Sequence, residues 1–81
     1  MTAETSVITE NDLKVIMAKA WEIRHREIPS DIQFYNFPHW DSLGHVNLLV
    51  ALEKEYGITI NYDTLTELID LKTILDHINR E

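Results

Sequence analysis

The 81-residue chain contains no cysteine, which excludes disulfide staples, thiolate chemistry by its own side chains and sulfur-ligated zinc. No apolar stretch approaches the roughly 18 residues a membrane span needs, and Met1-Thr2-Ala3-Glu4-Thr5-Ser6 shows no positive region ahead of an apolar run. No signal peptide is therefore expected, and a cytoplasmic location is. Basic residues are scarce: Lys plus Arg number 7 against 14 Asp plus Glu, a net charge of -7. The imbalance has no single home, with seven acids against four bases in residues 1–41 and seven against three in 42–81. Such a charge repels phosphate backbones and anionic lipid surfaces, so neither a nucleic acid nor a membrane is expected as partner. Strand signals are also missing. The nearest, Ile58-Thr59-Ile60-Asn61-Tyr62, is too short and solitary for a sheet.

What remains, 44% hydrophobic and 26% charged residues, is globular composition of a size that makes one domain. With two glycines and two prolines, the punctuation is sparse. Thr9 and Asp12 form a capping pattern ahead of Leu13, Ile16, Met17, Ala20 and Trp21, which fall at i, i+3, i+4, i+7 and i+8. This predicts a helix from about residue 10 to about 24. Residues 25–41 lose the period, and Pro29, Pro38, Ser30-Asp31 and Asn36 mark turns. A loop this long is expected to be anchored, and Ile28, Ile32, Phe34, Tyr35, Phe37 and Trp40 are the anchors available. A second helix is predicted from Asp41-Ser42 to Tyr56, stopped by Gly57 with Ile58 as the accompanying apolar contact. A short helix near Asp63-Thr64, with Thr64 and Glu67 as candidate capping box, precedes a last helix on Leu71, Ile74, Leu75 and Ile78 that Asp70 caps. The fold class is all-α: a small bundle of three main helices plus one short helix, with a long loop between the first two.

The second helix carries two apolar stripes. His45, Leu48, Leu49, Leu52 and Tyr56 suit the core, whereas Leu43, Val46 and Val50 run along an adjacent face. A small domain buries one broad stripe, so the second is either a core edge or a surface reserved for contact. At the start of this helix stands Ser42, where backbone N–H groups lack partners and the macrodipole is positive, an environment that favours a phosphate. A serine there can also simply cap its helix.

Trp40-Asp41-Ser42-Leu43, followed by Val46, Leu49, Leu52-Glu53 and Tyr56-Gly57-Ile58, resembles the acyl carrier protein family, over most of the chain and with the elements in the same order. The resemblance implies an acyl-carrier-like bundle forming a single carrier domain over residues 1–81. It implies a 4′-phosphopantetheine arm on the Ser42 hydroxyl, supplied from coenzyme A by a phosphopantetheinyl transferase, with acyl groups held as thioesters. The thiol missing from the chain would arrive on that arm. Asp41 would sit beside the modified serine, where family members meet the transferase and its metal ion. Leu43, Val46, Val50, Glu53 and Ile58 would face partner enzymes or the mouth of an acyl cleft, with Ile60 nearby. The chain would be a non-catalytic, monomeric carrier that binds no metal of its own. Its partners would be the transferase, an acyl-loading enzyme (acyltransferase or adenylating ligase) and a ketosynthase or other pathway enzyme.

The chain departs from carriers of fatty acid biosynthesis, which place acids two and five residues after the serine; here stand Gly44 and Asn47, and Lys54 follows Glu53. Trp-Asp-Ser-Leu-Gly-His looks more like stand-alone carriers of specialised pathways, such as polyketide biosynthesis. A peptidyl or aminoacyl carrier remains an alternative, as does an unmodified helical module that binds a partner through Leu43, Val46 and Val50. Serine hydrolysis through Asp41, Ser42 and His45 lacks a nucleophile elbow and an evident oxyanion hole. Asp41, His45 and His39 form only a weak metal pattern. Gly44 costs about 1 kcal/mol in a first helical turn against alanine, and is read here as letting an enzyme or the arm approach the backbone.

Overall fold

The computed structural model describes residues 7–80. Residues 1–6, on which the expectation of no leader rests, and residue 81 lie outside that range. Helix α1 spans Glu10–Trp21, α2 Ser42–Tyr56, α3 Tyr62–Glu67 and α4 Leu71–Arg80, with one 3-10 turn at His25–Glu27. The arrangement is a small all-α bundle, as the spacing of apolar residues predicts.

Local chemistry explains most boundaries. Thr9 accepts a hydrogen bond from the Asp12 N–H and Asp12 accepts one from the Thr9 N–H, a complete capping box for α1. That helix ends three residues earlier than its pattern suggests, because Glu22 adopts a left-handed conformation at φ 57° and returns its N–H to the Ala18 carbonyl. Gly57, at φ 71°, closes α2 in the same way, with no steric penalty. The short helix is capped by Asn61 rather than by Thr64. Thr64 supplies the reciprocal hydroxyl and is itself buried, so α3 begins earlier than its sequence pattern suggests. Asp70 caps α4 through the Thr73 N–H at 2.8 Å.

The core gathers Leu13, Ile16 and Met17 of α1, Leu48, Leu49 and Leu52 of α2, and Leu71, Ile74 and Ile78 of α4. These are the periodic positions that define the helices, so one pattern both selects the helix and supplies its buried face. The long connection from α1 to α2 is pinned at Ile28, Ile32 and Trp40, all buried, while Phe34 and Phe37 are half-buried. Tyr35 departs from its expected role as an anchor: it is 65% exposed. Polar ties complete the connection. Phe34 N–H donates to the Ile69 carbonyl at 2.9 Å, and Ser30 is held by Glu10 and Lys14 of α1.

Candidate functional site

Four hydrogen-bonding side chains fix the first turn of α2. Trp21 of α1 donates its indole N–H to the Gly44 carbonyl at 2.9 Å. Trp40, fully buried just before α2, donates its indole N–H to His45 Nδ1 at 2.9 Å. His45 Nε2 lies 2.7 Å from the Leu65 carbonyl of α3. An indole can only donate and a carbonyl can only accept, so His45 is the neutral tautomer with its proton on Nε2, and both ring nitrogens are satisfied. The fourth is Asp41, whose Oδ1 accepts from the Gly44 N–H at 2.9 Å. Helix α2 thus starts at one place and one angle, tied to α1, the connecting loop and α3.

Ser42 is the first residue of this helix, and it is exposed. The capping role a serine could play there belongs to Asp41. Ser42 Oγ is therefore free of helix duty, and its one hydrogen bond among the described residues is to the Tyr35 phenol at 2.5 Å. Among the described residues, the Ser42 and Leu43 N–H groups donate to no protein acceptor, while Gly44 and His45 use Asp41. Two unpartnered amides beside an exposed hydroxyl, at the positive end of a 15-residue helix, suit a negatively charged phosphodiester. His45 cannot take a proton from Ser42 in this arrangement, since both its nitrogens are committed to Trp40 and Leu65.

Leu43, Val46 and Val50 are 71%, 48% and 37% exposed, so the second stripe of α2 is a solvent-facing apolar strip that begins beside Ser42. Glu53 extends it one turn beyond Val50 and is exposed. Ile58 does not belong to this surface. It is buried in the core behind the Gly57 cap, where it serves as the apolar contact that closes the helix end. Ile60 is half-buried and packs against the same core.

Gly44 also requires a different account from the one its sequence position suggests. A Cβ built on it would lie 1.8 Å from the His39 carbonyl oxygen and 3.2 Å from Trp21 Nε1. The residue is buried, and the close approach it permits is internal: the preceding loop crosses over the first turn of α2.

Tyr35 is the site residue that sequence reasoning placed in the wrong role. Its backbone sits at φ 73°, where a bulky side chain costs roughly 1–3 kcal/mol. The turn is held by the Tyr35 N–H donating to the Trp40 carbonyl at 2.8 Å and by Asn36, whose Oδ1 accepts from the Gln33 N–H. The Phe34 ring packs in a tilted arrangement against both Tyr35 and His45, with centroid distances of 4.3 and 4.6 Å. Glycine or asparagine would mark such a conformation in a sequence; a tyrosine carries no such signal.

Replacing Asp41 tests its role as the cap of α2. Asp41→Ala is expected to lower the unfolding free energy by about 1 kcal/mol through loss of the cap, while Asp41→Asn holds stability nearly constant, because asparagine caps as well as aspartate. Urea denaturation of both variants checks this; equal stability of alanine and wild type would show that the Gly44 N–H bond contributes nothing.

No protein-family model matches the chain, and no curated protein matches it. Among the described residues, no helix is long and apolar enough to cross a membrane.

Proposed function

We propose that this chain is a carrier protein, modified on Ser42 by 4′-phosphopantetheine and acting in the cytoplasm. The observation that carries the reading is the division of labour at the head of α2. Asp41 caps the helix, which leaves the adjacent Ser42 hydroxyl exposed and available as an acceptor. The residues present fit the group. Ser42 would hold it, and the Ser42 and Leu43 amides are placed at the positive helix end. When bound, the arm supplies a terminal thiol that carries acyl groups as thioesters.

Attachment is a substitution at phosphorus. Ser42 Oγ forms a bond to the pantetheine-side phosphorus of coenzyme A, and the diphosphate linkage breaks. Adenosine 3′,5′-bisphosphate leaves with the bonding pair, and the hydroxyl proton passes to the transferase. Ser42 has no general base of its own, since its single side-chain partner is a phenol and His45 is committed elsewhere. A separate phosphopantetheinyl transferase therefore provides deprotonation. Asp41 keeps its Oδ1 on the Gly44 amide and presents its carboxylate beside Ser42, the position at which the resemblance has the transferase and its metal ion meet the carrier.

The exposed strip of Leu43, Val46 and Val50, with Glu53 at its end, is the surface proposed to meet an acyltransferase or adenylating ligase and a ketosynthase. Its charge is low for a recognition helix: Gly44 is buried under a loop carbonyl and Asn47 is neutral. That supports polyketide or related specialised biosynthesis over fatty acid synthesis, with a peptidyl carrier as the alternative that loading assays decide.

The test is incubation with coenzyme A and a broad-specificity phosphopantetheinyl transferase, followed by intact-mass measurement. A gain of one phosphopantetheine is the expected result. An unchanged mass would overturn the carrier reading and favour an unmodified interaction module that uses the same exposed strip.

A further inference from the structure

Three features converge on Tyr35. Its backbone occupies a conformation that disfavours bulky side chains, its ring is 65% exposed, and its phenol reaches the Ser42 hydroxyl at 2.5 Å. Little burial offsets the backbone strain, so packing does not account for a tyrosine at this position. What the side chain does gain is a contact with the half-buried Phe34 ring and the hydrogen bond to Ser42.

We infer that Tyr35 is a positioning residue of the Ser42 modification site, its phenol holding the serine hydroxyl before arm transfer and donating to the attached phosphodiester afterwards. The inference rests on the carrier reading. Before transfer, either hydroxyl can donate to the other, and the pair holds Ser42 Oγ in one rotamer at the solvent edge of α2. After transfer, Oγ is an ester oxygen with no proton to give, and the non-bridging phosphate oxygens can only accept. The phenol O–H is then left as the donor, and the bond changes from neutral to charge-assisted, which is the stronger kind. The Phe34 ring packed against Tyr35 and the Trp40 carbonyl bonded to its N–H hold the phenol in that place. The loop and α2 thereby share one site, although they are separate elements in the sequence.

Tyr35→Phe removes only the hydroxyl of an exposed ring, so the fold is expected to stay intact, with an unchanged thermal transition. Two readouts test the role. The rate of arm transfer from coenzyme A is expected to fall about fivefold in kcat, with the KM for the carrier unchanged, as suits one lost hydrogen bond at an exposed site. The 31P resonance of the attached phosphodiester is expected to move away from its wild-type position. Tyr62→Phe is the control, since Tyr62 is 78% exposed and its phenol has no hydrogen-bond partner among the described residues. Wild-type rate and wild-type 31P position in Tyr35→Phe would overturn the role of Tyr35 and leave the carrier reading standing. Equal changes in the Tyr35 and Tyr62 variants would overturn it as well. A wild-type chain that accepts no arm would overturn both.

Discussion

Ser42→Ala is expected to stay folded and to take up no phosphopantetheine, where the wild-type chain is expected to take up one. Both halves follow from the position of the residue. Ser42 is exposed, is not the cap of its helix, and makes its single side-chain hydrogen bond to an exposed phenol. Its loss should therefore change stability by no more than about 0.5 kcal/mol, the usual range for surface substitutions. Among the described residues, several other hydroxyls are engaged within the fold. Ser30 is held between Glu10 and Lys14, and Thr9, Thr64 and Thr73 are engaged in helix caps. Intact-mass measurement on both proteins, with circular dichroism to establish folding, gives the result directly. Equal mass gain in the folded variant would place the attachment elsewhere and remove Ser42 from the site.

Gly44→Ala is expected to destabilise the domain severely, against the sign that helix propensity assigns. Alanine gains about 1 kcal/mol over glycine inside a helix. Here the new methyl group would meet a backbone carbonyl at 1.8 Å, and a backbone atom cannot swing aside as a side chain would. Relief requires the loop at His39 to lift from α2, which also strains the bond from Trp21 to the Gly44 carbonyl. Overpacking of a tight site costs about 1–3 kcal/mol and loss of a buried hydrogen bond a further 1–3. Set against the propensity gain, the net effect expected is a loss of about 1–5 kcal/mol, each kcal/mol of which lowers Tm by roughly 4–8 °C in a domain of this size. Since domains this small hold only about 3–5 kcal/mol, such a loss removes a large share of the total stability. Thermal denaturation decides the matter, and a variant as stable as wild type would mean that the crossing of the loop over α2 is not as tight as described.

The helices were legible because the same residues that repeat at helical spacing are the ones the core buries. Leu13, Ile16 and Met17 in α1 and Leu48, Leu49 and Leu52 in α2 illustrate it. Local caps were legible for the same reason of proximity: Thr9 with Asp12, Asp70 with Thr73, and Gly57 each act within four residues. Choices among equivalent local signals were not. Asn61 and Thr64 both suit the start of α3, and Glu22 carries no mark of the left-handed conformation that ends α1. Ile58 and Val50 read alike as apolar residues, yet one is 7% and the other 37% exposed, because the chain turns at Gly57 and carries Ile58 into the core while Val50 stays on the solvent side of α2.

The candidate site divides along the same line. Ser42 at the head of a helix, and the two stripes of α2, are contained in the order of residues, since a helix presents its side chains at fixed angular intervals. Whether Asp41 or Ser42 takes the cap is a choice between adjacent local signals. That the loop would fold its carbonyl onto Gly44 and that the Tyr35 phenol would reach the serine were settled only by tertiary structure. Each of these depends on where a loop of irregular backbone lands. A loop has no repeat to reveal its path, and its position is decided by contacts with elements distant in the chain, such as the Phe34 bond to Ile69 and the burial of Trp40 against His45.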